Sequence, residues 1–566
     1  MSADDAGDVV DELARQIADD PAQDKRTQAS QLVDLCHAHF DLGVADTGEA
    51  FGVRRSGPNV ALQLRGGRTS LGAAIAALFF DQHERAPSAA ARADALAVIE
   101  GLAWRLDPVE LPVRVAAHDD GVLVDLGTAD GRVASIRPGA VELLSRSPLT
   151  FRRTALTLPM PTPNLDADRA STLDALRAVL NVDEASFRLL VGWLLASLCQ
   201  EMPHAVLALN GEQGTGKSSF ARLVASLVDP TAAPLRSSPR DLDAWSISAA
   251  GSWCVVLDNV SRISEWLSDA LCRAVTGDSL VRRMLYSDSD VSVLRFRRCV
   301  VLTTIDVGAL RGDLAERMLP IRLERIDSTA RRTEADVAAA FDAIHADVLG
   351  VLFDLLADVL DELPAVRLDE QPRMADFARL LAALDVVTDW STFDDYSSVG
   401  SQLADDVIES DPVAAAVVQL MAKHSEWLGT ASELLDVLTP NDQHELRRTT
   451  QSKHWPKDGA RLSGQLKRLA PALLQVGIDA TQERQAGKRL WRLRRVETTS
   501  IEASSASRAS QASQDTASSD DAAVTLMTIN QVGASSPDAS AGAADDADDA
   551  DDAVSAPLSQ GRQVAW

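Results

Sequence analysis

At 566 residues the chain is too long for a single hydrophobic core, so several domains are expected. A formal net charge of −28 excludes a protein that coats nucleic acid through overall positive charge, and because much of the acid lies in the last part of the chain, basic patches have to be read locally. The five cysteines (Cys36, Cys199, Cys254, Cys272, Cys299) are scattered through mostly apolar stretches without a C-x-x-C pair, which points to buried thiols in a reducing, cytoplasmic setting rather than disulfides or a zinc ribbon. The most apolar run, Leu189 to Gln200, is too short to span a bilayer and predicts a buried helix and no membrane partner.

Residues 1–28 read as a polar, flexible N-terminus, and residues 29–163 as an α+β domain. Up to about residue 105 the pattern is helical: Gln31 to Leu42, Ser70 to Gln82 and Ser88 to Leu106 carry apolar residues at helical spacing, separated by turns at Gly57-Pro58 and Pro87. Cys36-His37-x-His39 lacks a fourth ligand in sequence and reads as ordinary helix residues rather than a metal site. From Pro112 the period changes to alternation, with turns at Asp120-Gly121 and Asp130-Gly131, which predicts a small antiparallel meander. Asp125 is a lone acid on an alternating strand and is expected to face solvent. The proline-rich Leu158 to Asn164 reads as a linker.

Residues 164–326 hold the nucleotide signal. After the helical stretch Leu173 to Gln200, the apolar run Ala205 to Leu209 reads as a short buried strand, and Gly211-Glu-Gln-Gly214-Thr215-Gly216-Lys217-Ser218 fits G-x-x-x-x-G-K-[ST]. Glycines at these places let backbone N–H groups turn inward around a phosphate, with Thr215 and Ser219 completing the cradle. Lys217 is expected to neutralise the β and γ oxygens of ATP, Ser218 to offer a hydroxyl to Mg²⁺, and the following amphipathic helix to add its positive end. A glycine-rich turn that binds nothing would need neither the apolar strand before it nor the helix carrying Phe220, Leu223, Val224 and Leu227 after it. Downstream, Trp253-Cys-Val-Val-Leu257-Asp258-Asn259 has the form of a second core strand whose terminal acid, Asp258, faces the Mg²⁺ shell as a Walker B carboxylate. A third strand, Cys299 to Leu302, ends at Thr303-Thr304; Thr303 is either a γ-phosphate sensor or a plain strand-end threonine. Between these strands, Val281 to Tyr286 and Leu294 to Arg298 flank Ser287-Asp288-Ser289-Asp290, a hairpin whose basic arms carry Arg282, Arg283, Arg295 and Arg297. Arg317 follows a polar turn and precedes the strand Leu319 to Leu323; as an ordinary surface residue it would pair with Glu316 or Glu324.

Residues 327–425 read as a helical domain, and residues 426–497 as helix, helix and hairpin, the order of a winged helix. Here Trp427 to Leu438 is predicted as one capped helix, Leu462 to Leu469 as a second, and Val476 to Ile478 with Lys488 to Val496 as paired strands. Bases outnumber acids between Arg447 and Arg495, against the trend of the chain, and Lys467, Arg468, Lys488 and Arg489 are the candidate DNA contacts. From residue 498 onward Ser, Ala, Asp and Gly dominate, which predicts a disordered acidic tail over 498–566.

The order of phosphate loop, Leu257-Asp258-Asn259-Val260, basic hairpin, polar strand end and Asp313-Leu314-Ala315-x-Arg317 resembles helicase superfamily three, within the AAA+ class. Pro239-Arg240-Asp241, Trp266-Leu267-Ser268-Asp269-Ala270-Leu271-Cys272 and Arg373-Met374-Ala375-Asp376-Phe377 are similar to proteins of actinobacterial phages and integrated elements related to primase-helicases. The resemblance implies a multidomain α/β protein with a P-loop, AAA+/superfamily-three-like core, an N-terminal α+β region, a helical lid and a C-terminal winged helix. It further implies an ATP-dependent, DNA helicase-like motor ATPase of phage or mobile-element replication that assembles as a homo-oligomeric ring, uses the hairpin to track DNA and places Arg317 against a neighbour's γ-phosphate. Two departures stand out. Asn259 occupies the place of the usual Walker B glutamate and cannot accept a proton, so Glu265, Asp269 or Glu316 would have to act as base; and Thr303 is shorter than the usual asparagine. The alternative is a nucleotide-gated DNA-binding regulator or loader that does not unwind.

Overall fold

The architecture is described from a computed structural model. It describes residues 26–496 apart from 67–68, 262, 284–290, 305–311, 327–328, 330, 370–371, 400–407, 409–410, 440–454 and 486–487, and over 278–296 the backbone alone. The expected flexible N-terminus (but for residues 26–28), the tip of the basic hairpin and the acidic tail lie outside the described residues.

The first layer begins with α1 (Gln28–His39), capped by the Thr27 hydroxyl, which accepts from Ser30 N at 3.2 Å. The chain then turns into strands β1 (Phe40–Ala45), β2 (Ala50–Arg54) and β3 (Val60–Gln63), where a helical continuation to Leu42 is expected from the periodicity. β2 is buried at four consecutive positions, so it never shows the alternation that would reveal a strand. Helices α2 (Leu71–His83) and α3 (Ala89–Ala103) follow as expected, each opened by a serine cap, and pack with α1 around Cys36, Phe40, Leu71, Phe79 and Ile99. With β4 (Pro108–Val109) and β9 (Phe151–Arg152) these strands form one sheet in the order β4-β1-β2-β3-β9.

The meander is present as β5 (Val115–His118), β6 (Gly121–Asp125), β7 (Val133–Arg137) and β8 (Ala140–Leu144), antiparallel neighbours in sequence order. Both of its faces are covered: Val124 and Ile136 join the main core, while Leu123 and Val133 pack with Phe151. That coverage corrects the expectation for Asp125. It is buried, not solvent-facing, and its carboxylate accepts from Arg153 Nη2 at 2.6 Å and Nε at 2.8 Å.

Helices α4 (Arg169–Val179) and α5 (Glu184–Ser197) lead into the nucleotide core. Its parallel sheet holds β10 (Val206–Asn210), β11 (Cys254–Leu257), β14 (Cys299–Thr304) and β15 (Met318–Arg322) in the order β11-β14-β10-β15. Helices α6 (Lys217–Val228), α7 (Leu242–Gly251) and α8 (Glu265–Thr276) surround it, and the antiparallel hairpin β12 (Asp278–Arg283) with β13 (Val291–Phe296) projects between β11 and β14 in sequence. The long helix α10 (Glu334–Glu362), which follows the short α9 (Gly312–Ala315), starts from a Thr333/Asp336 capping box and packs with α11 (Ala375–Thr388) against α5.

The C-terminal body contains α12 (Pro412–Lys423), β16 (Glu426–Gly429), α13 (Ala431–Leu438), α14 (Gly459–Gln475), β17 (Ile478–Gln485) and β18 (Lys488–Arg495), with the antiparallel sheet order β16-β18-β17. Trp427 to Gly429 is therefore strand, not the start of a helix. The helix begins after Thr430, whose hydroxyl accepts from Glu433 N while the Glu433 carboxylate accepts from Thr430 N. Its core holds Val413, Leu434, Leu466, Leu473, Trp491 and Leu493, together with Ala315 from α9.

One buried ion pair ties these layers together. Arg114, in the left-handed region at φ 68°, donates to Asp229 Oδ1 at 2.9 Å and to the carbonyls of Asp125, Leu158 and Pro230. The other Asp229 oxygen accepts from the backbone N–H of Trp253 at 2.7 Å and of Cys254 at 3.2 Å, where β11 starts. Removing either partner leaves the other charge stranded away from water, so Arg114→Ala or Asp229→Ala should lower unfolding stability by about 3–5 kcal/mol, while replacing both with apolar residues should be milder than the sum. Urea unfolding of the two single variants and the double variant checks this; single losses no larger than an exposed pair's ~1 kcal/mol would contradict it.

Candidate functional site

The parallel sheet brings three strand ends to one edge. β14 lies between β10 and β11, with Leu209 opposite Thr303 and Leu257 opposite Leu302, so the chain following β10, the residue following β11 and Thr303 converge. Loops at the carboxyl edge of such a sheet are where ligands bind in open α/β folds.

The loop 211–216 leaves β10 and delivers the chain to α6. Gly214 and Gly216 have φ of 84° and 80°, backbone that a side chain would strain, and Gly216 is the residue before the first helical turn. Thr215 is buried and its hydroxyl donates to Glu212 O at 3.0 Å, while Glu212, Gln213 and Gly214 at the tip are exposed. Lys217 Nζ lies over the loop and donates to Gly211 O at 2.7 Å and Glu212 O at 2.8 Å. Those carbonyls occupy the lysine's donors where phosphate oxygens would. Partial desolvation lowers the Lys217 pKa, and the charge of Asp258 opposes that shift.

Asp258 is the hub of the site. One of its oxygens accepts from Thr303 Oγ1 at 2.6 Å, and Ser218 Oγ lies 3.0 and 3.1 Å from the two. Thr303 accepts in turn from Asn259 N at 2.7 Å, and Asn259 has φ 55°, a left-handed conformation that turns the chain sharply after the acid. A hydroxyl and a carboxylate side by side form a hard-oxygen donor set that suits Mg²⁺. Ser219 sits in the first turn of α6.

Two contributors are illegible in the sequence. Asn181, between α4 and α5, donates through Nδ2 to Thr215 O at 2.7 Å and Glu324 O at 2.9 Å, clamping the loop from below. Arg331 approaches the loop tip, since a Cβ built on Gly214 would lie 3.6 Å from its Nη2. Neither falls in a recognisable motif, and only the fold brings them there.

Arg317 is elsewhere. Met318 pairs with Val206 at the start of the parallel strands, so Arg317 stands at the edge opposite the loop, roughly 13 Å away at ~3.3 Å per residue. Its Nη1 donates to Asp313 Oδ2 at 2.8 Å, not to Glu316 or Glu324, and its side chain is largely buried. Glu316 is bound by Arg373 at 3.0 Å, with burial pushing its pKa up.

Among the DNA candidates, Arg282, Arg283 and Arg295 lie on the hairpin strands. Arg297 is placed differently. It follows the hairpin, donates to Gln200 O at 2.9 Å and faces an internal cleft, because the chain turns inward here to start β14. Lys467 and Arg468 are exposed on α14, and Arg489 is exposed on β18, the strand that also carries Lys488. Arg492 on the same strand is bound by Glu483 at 2.8 Å and also by Glu426. No described helix is long and apolar enough to cross a membrane, and no group of three or more metal-ligating side chains occurs among the described residues, Cys36-His37-x-His39 included.

Comparison with known proteins links the chain to replication proteins. Residues 173–406 match the family model of the actinomycete integrative conjugative element replication protein, and residues 413–511 match that of the AICE RepA C-terminal domain. The chain thus carries replication-protein domains; in particular, they are RepA domains of the kind found in actinomycete integrative conjugative elements. This meets the expected kinship with actinobacterial integrated elements. No curated protein matches the chain. Two solved structures align over most of it: the apo NrS-1 C-terminal region (305–718), at 12% identity, covering 84% of this chain and 100% of that one with TM-score 0.35, and its A form, at 11%, 83%, 100% and 0.34.

Lys217→Ala removes the side-chain cation that lies over the phosphate loop and donates to its carbonyls. It should abolish ATP binding at the phosphate loop while leaving thermal unfolding near the parent's, since the side chain is partly exposed. Titration with a fluorescent ATP analogue checks this, and equal affinity in variant and parent would overturn the phosphate-loop reading.

Proposed function

We propose that the chain is an ATP-dependent, helicase-like motor of mobile-element replication that acts on DNA as a homo-oligomeric ring. The observation that carries the reading is the meeting of Lys217, Ser218, Asp258 and Thr303 at the carboxyl edge of one parallel sheet. The loop amides and the α6 N-terminus would hold the phosphates of ATP, with Lys217 moving from the loop carbonyls onto the β and γ oxygens. Ser218 and Asp258 would hold Mg²⁺, which when bound supplies charge neutralisation between the phosphates. Thr303, fixed by Asp258 and by Asn259 N, would present its hydroxyl near the γ-phosphate. The strand order with β14 between the loop strand and the Asp258 strand supports an AAA+/superfamily-three-like core, and helix, strand, helix, helix, hairpin with order β16-β18-β17 supports a winged helix.

The general base is the open position. Asn259 cannot serve, Glu316 is engaged by Arg373 at the far edge, and Asp269 lines a separate groove with Trp266 and Arg240. Glu265, at the start of α8 and seven residues after Asp258, is our candidate. Asn259 also favours the second reading, in which ATP binding gates DNA contact without unwinding.

Arg317 stands too far from its own loop to reach its own phosphate, so a catalytic role requires a neighbouring subunit. Arg317→Ala should spare ATP binding and lower turnover by about 10³-fold or more, as other arginine fingers do. Mixing it with Asp258→Ala should restore part of the activity through hybrid interfaces; turnover that follows each subunit's own genotype would make Arg317 purely structural. For the C-terminal body, changing Lys467, Arg468, Lys488 and Arg489 together to alanine should weaken duplex binding and flatten the log–log salt slope by up to about 4. An unchanged slope would move this body's role to protein contacts.

A further inference from the structure

The stretch Arg373-Met374-Ala375-Asp376-Phe377 has no part in the phosphate-loop site, yet its first residue reaches the short helix that leads to Arg317. Met374 precedes α11 and Phe377 lies in its first turn, both buried in the main core, so the backbone at Arg373 is fixed. From there the guanidinium spans two acids: Nη2 donates to Asp313 Oδ1 at 2.5 Å, and Nη1 lies 3.0 Å from Glu316 Oε2. The other Asp313 oxygen accepts from Arg317 Nη1 at 2.8 Å, and the Cys272 thiol of α8 also bonds the Asp313 carboxylate. Glu316, Arg373, Asp313 and Arg317 therefore form one line of alternating charge.

A helix of four residues is far too short to be stable by itself, so α9 is placed by what it touches. It packs on α8 through Leu314 and on α14 through Ala315, and Arg373 holds it from a third direction. Arg373 also decides how Asp313 is shared. A carboxylate with a single cation closes on it with both oxygens and spends the guanidinium fork. With Arg373 on Oδ1, Asp313 gives Arg317 one oxygen, and the Arg317 Nε stays buried without a partner among the described residues. A buried donor left without an acceptor is costly, and an acceptor brought from outside the chain would satisfy it.

We propose that Arg373 is a positioning residue for Arg317: by occupying one oxygen of Asp313 it keeps the Arg317 guanidinium anchored on the other, with donors left over for a phosphate held by the neighbouring subunit. The proposal rests on the reading of Arg317 as acting in trans, and adds to it the residue that aims the finger.

The test uses the full chain and two readouts, ATP turnover and, by sedimentation, assembly with a non-hydrolysable ATP analogue. Because its partners lie at the edge opposite the phosphate loop, Arg373→Ala should leave ATP affinity at the parent's value while lowering turnover by about 10- to 10²-fold and weakening assembly. Arg373→Lys, whose point charge serves one acid at a time, should fall in between. In the Arg317→Ala background Arg373→Ala should cost nothing further, which a merely structural role would not produce. Glu316→Gln added to Arg373→Ala should leave the chain as slow as Arg373→Ala alone, showing that the loss runs through Asp313 and not through a stranded Glu316. Losses that add in the Arg317→Ala background, a fall in ATP affinity, or Arg373→Ala behaving as the parent while Arg317→Ala does not would each overturn the positioning role and leave the finger standing. If Arg317→Ala itself changes neither turnover nor assembly, the trans reading falls, and Arg373 has no finger to aim.

Discussion

The structure depends on a carboxylate that water cannot reach. Asp229 closes the helix that begins at the phosphate loop, and its two oxygens point in different directions: one to Arg114 of the meander, the other to the backbone N–H groups that begin the Asp258 strand. A buried charge persists only if it is paired and hydrogen-bonded on all sides, so the geometry of three layers is fixed together. The far end of α6 thereby sets where Ser218 stands relative to Asp258. The strained φ of Arg114 is held by the same set of contacts.

At the other end of that helix the constraints are local and polar. Asp258 is shared by Ser218 and Thr303, and Thr303 is shared by Asp258 and Asn259 N, so the residues that would meet nucleotide are already arranged before it arrives. Lys217 rests on loop carbonyls that it can exchange for phosphate oxygens. Preorganisation of this kind serves binding whether or not hydrolysis follows. The side chain after the acid, Asn259, is what separates a motor from a switch.

Much of this site was legible in the sequence because phosphate chemistry demands glycines, a lysine and a hydroxyl at fixed spacing on a strand–loop–helix. The strand ends at Asp258 and Thr303 were legible for a similar reason, as short apolar runs closing on a polar group. Other features depend on packing that no local pattern records. β2 is buried on both faces and lacks alternation; Asp125 looks like a surface acid until Arg153 and a covered sheet are seen around it; Asn181 and Arg331 reach the loop only through tertiary folding. Arg297 continues the hairpin's basic run in sequence, yet the chain turns inward one residue after the strand ends and its guanidinium donates to Gln200 O. Trp427 reads as helical in the sequence because the Thr430 capping box that starts the helix sits only three residues beyond it.

Strand displacement by the purified full-length chain on a forked DNA duplex tests the central claim most directly. A motor built on this site displaces the strand with ATP and Mg²⁺, and loses displacement with Lys217→Ala or with a non-hydrolysable analogue. DNA binding that responds to ATP without any displacement would contradict the motor and leave the chain a nucleotide-gated DNA-binding protein.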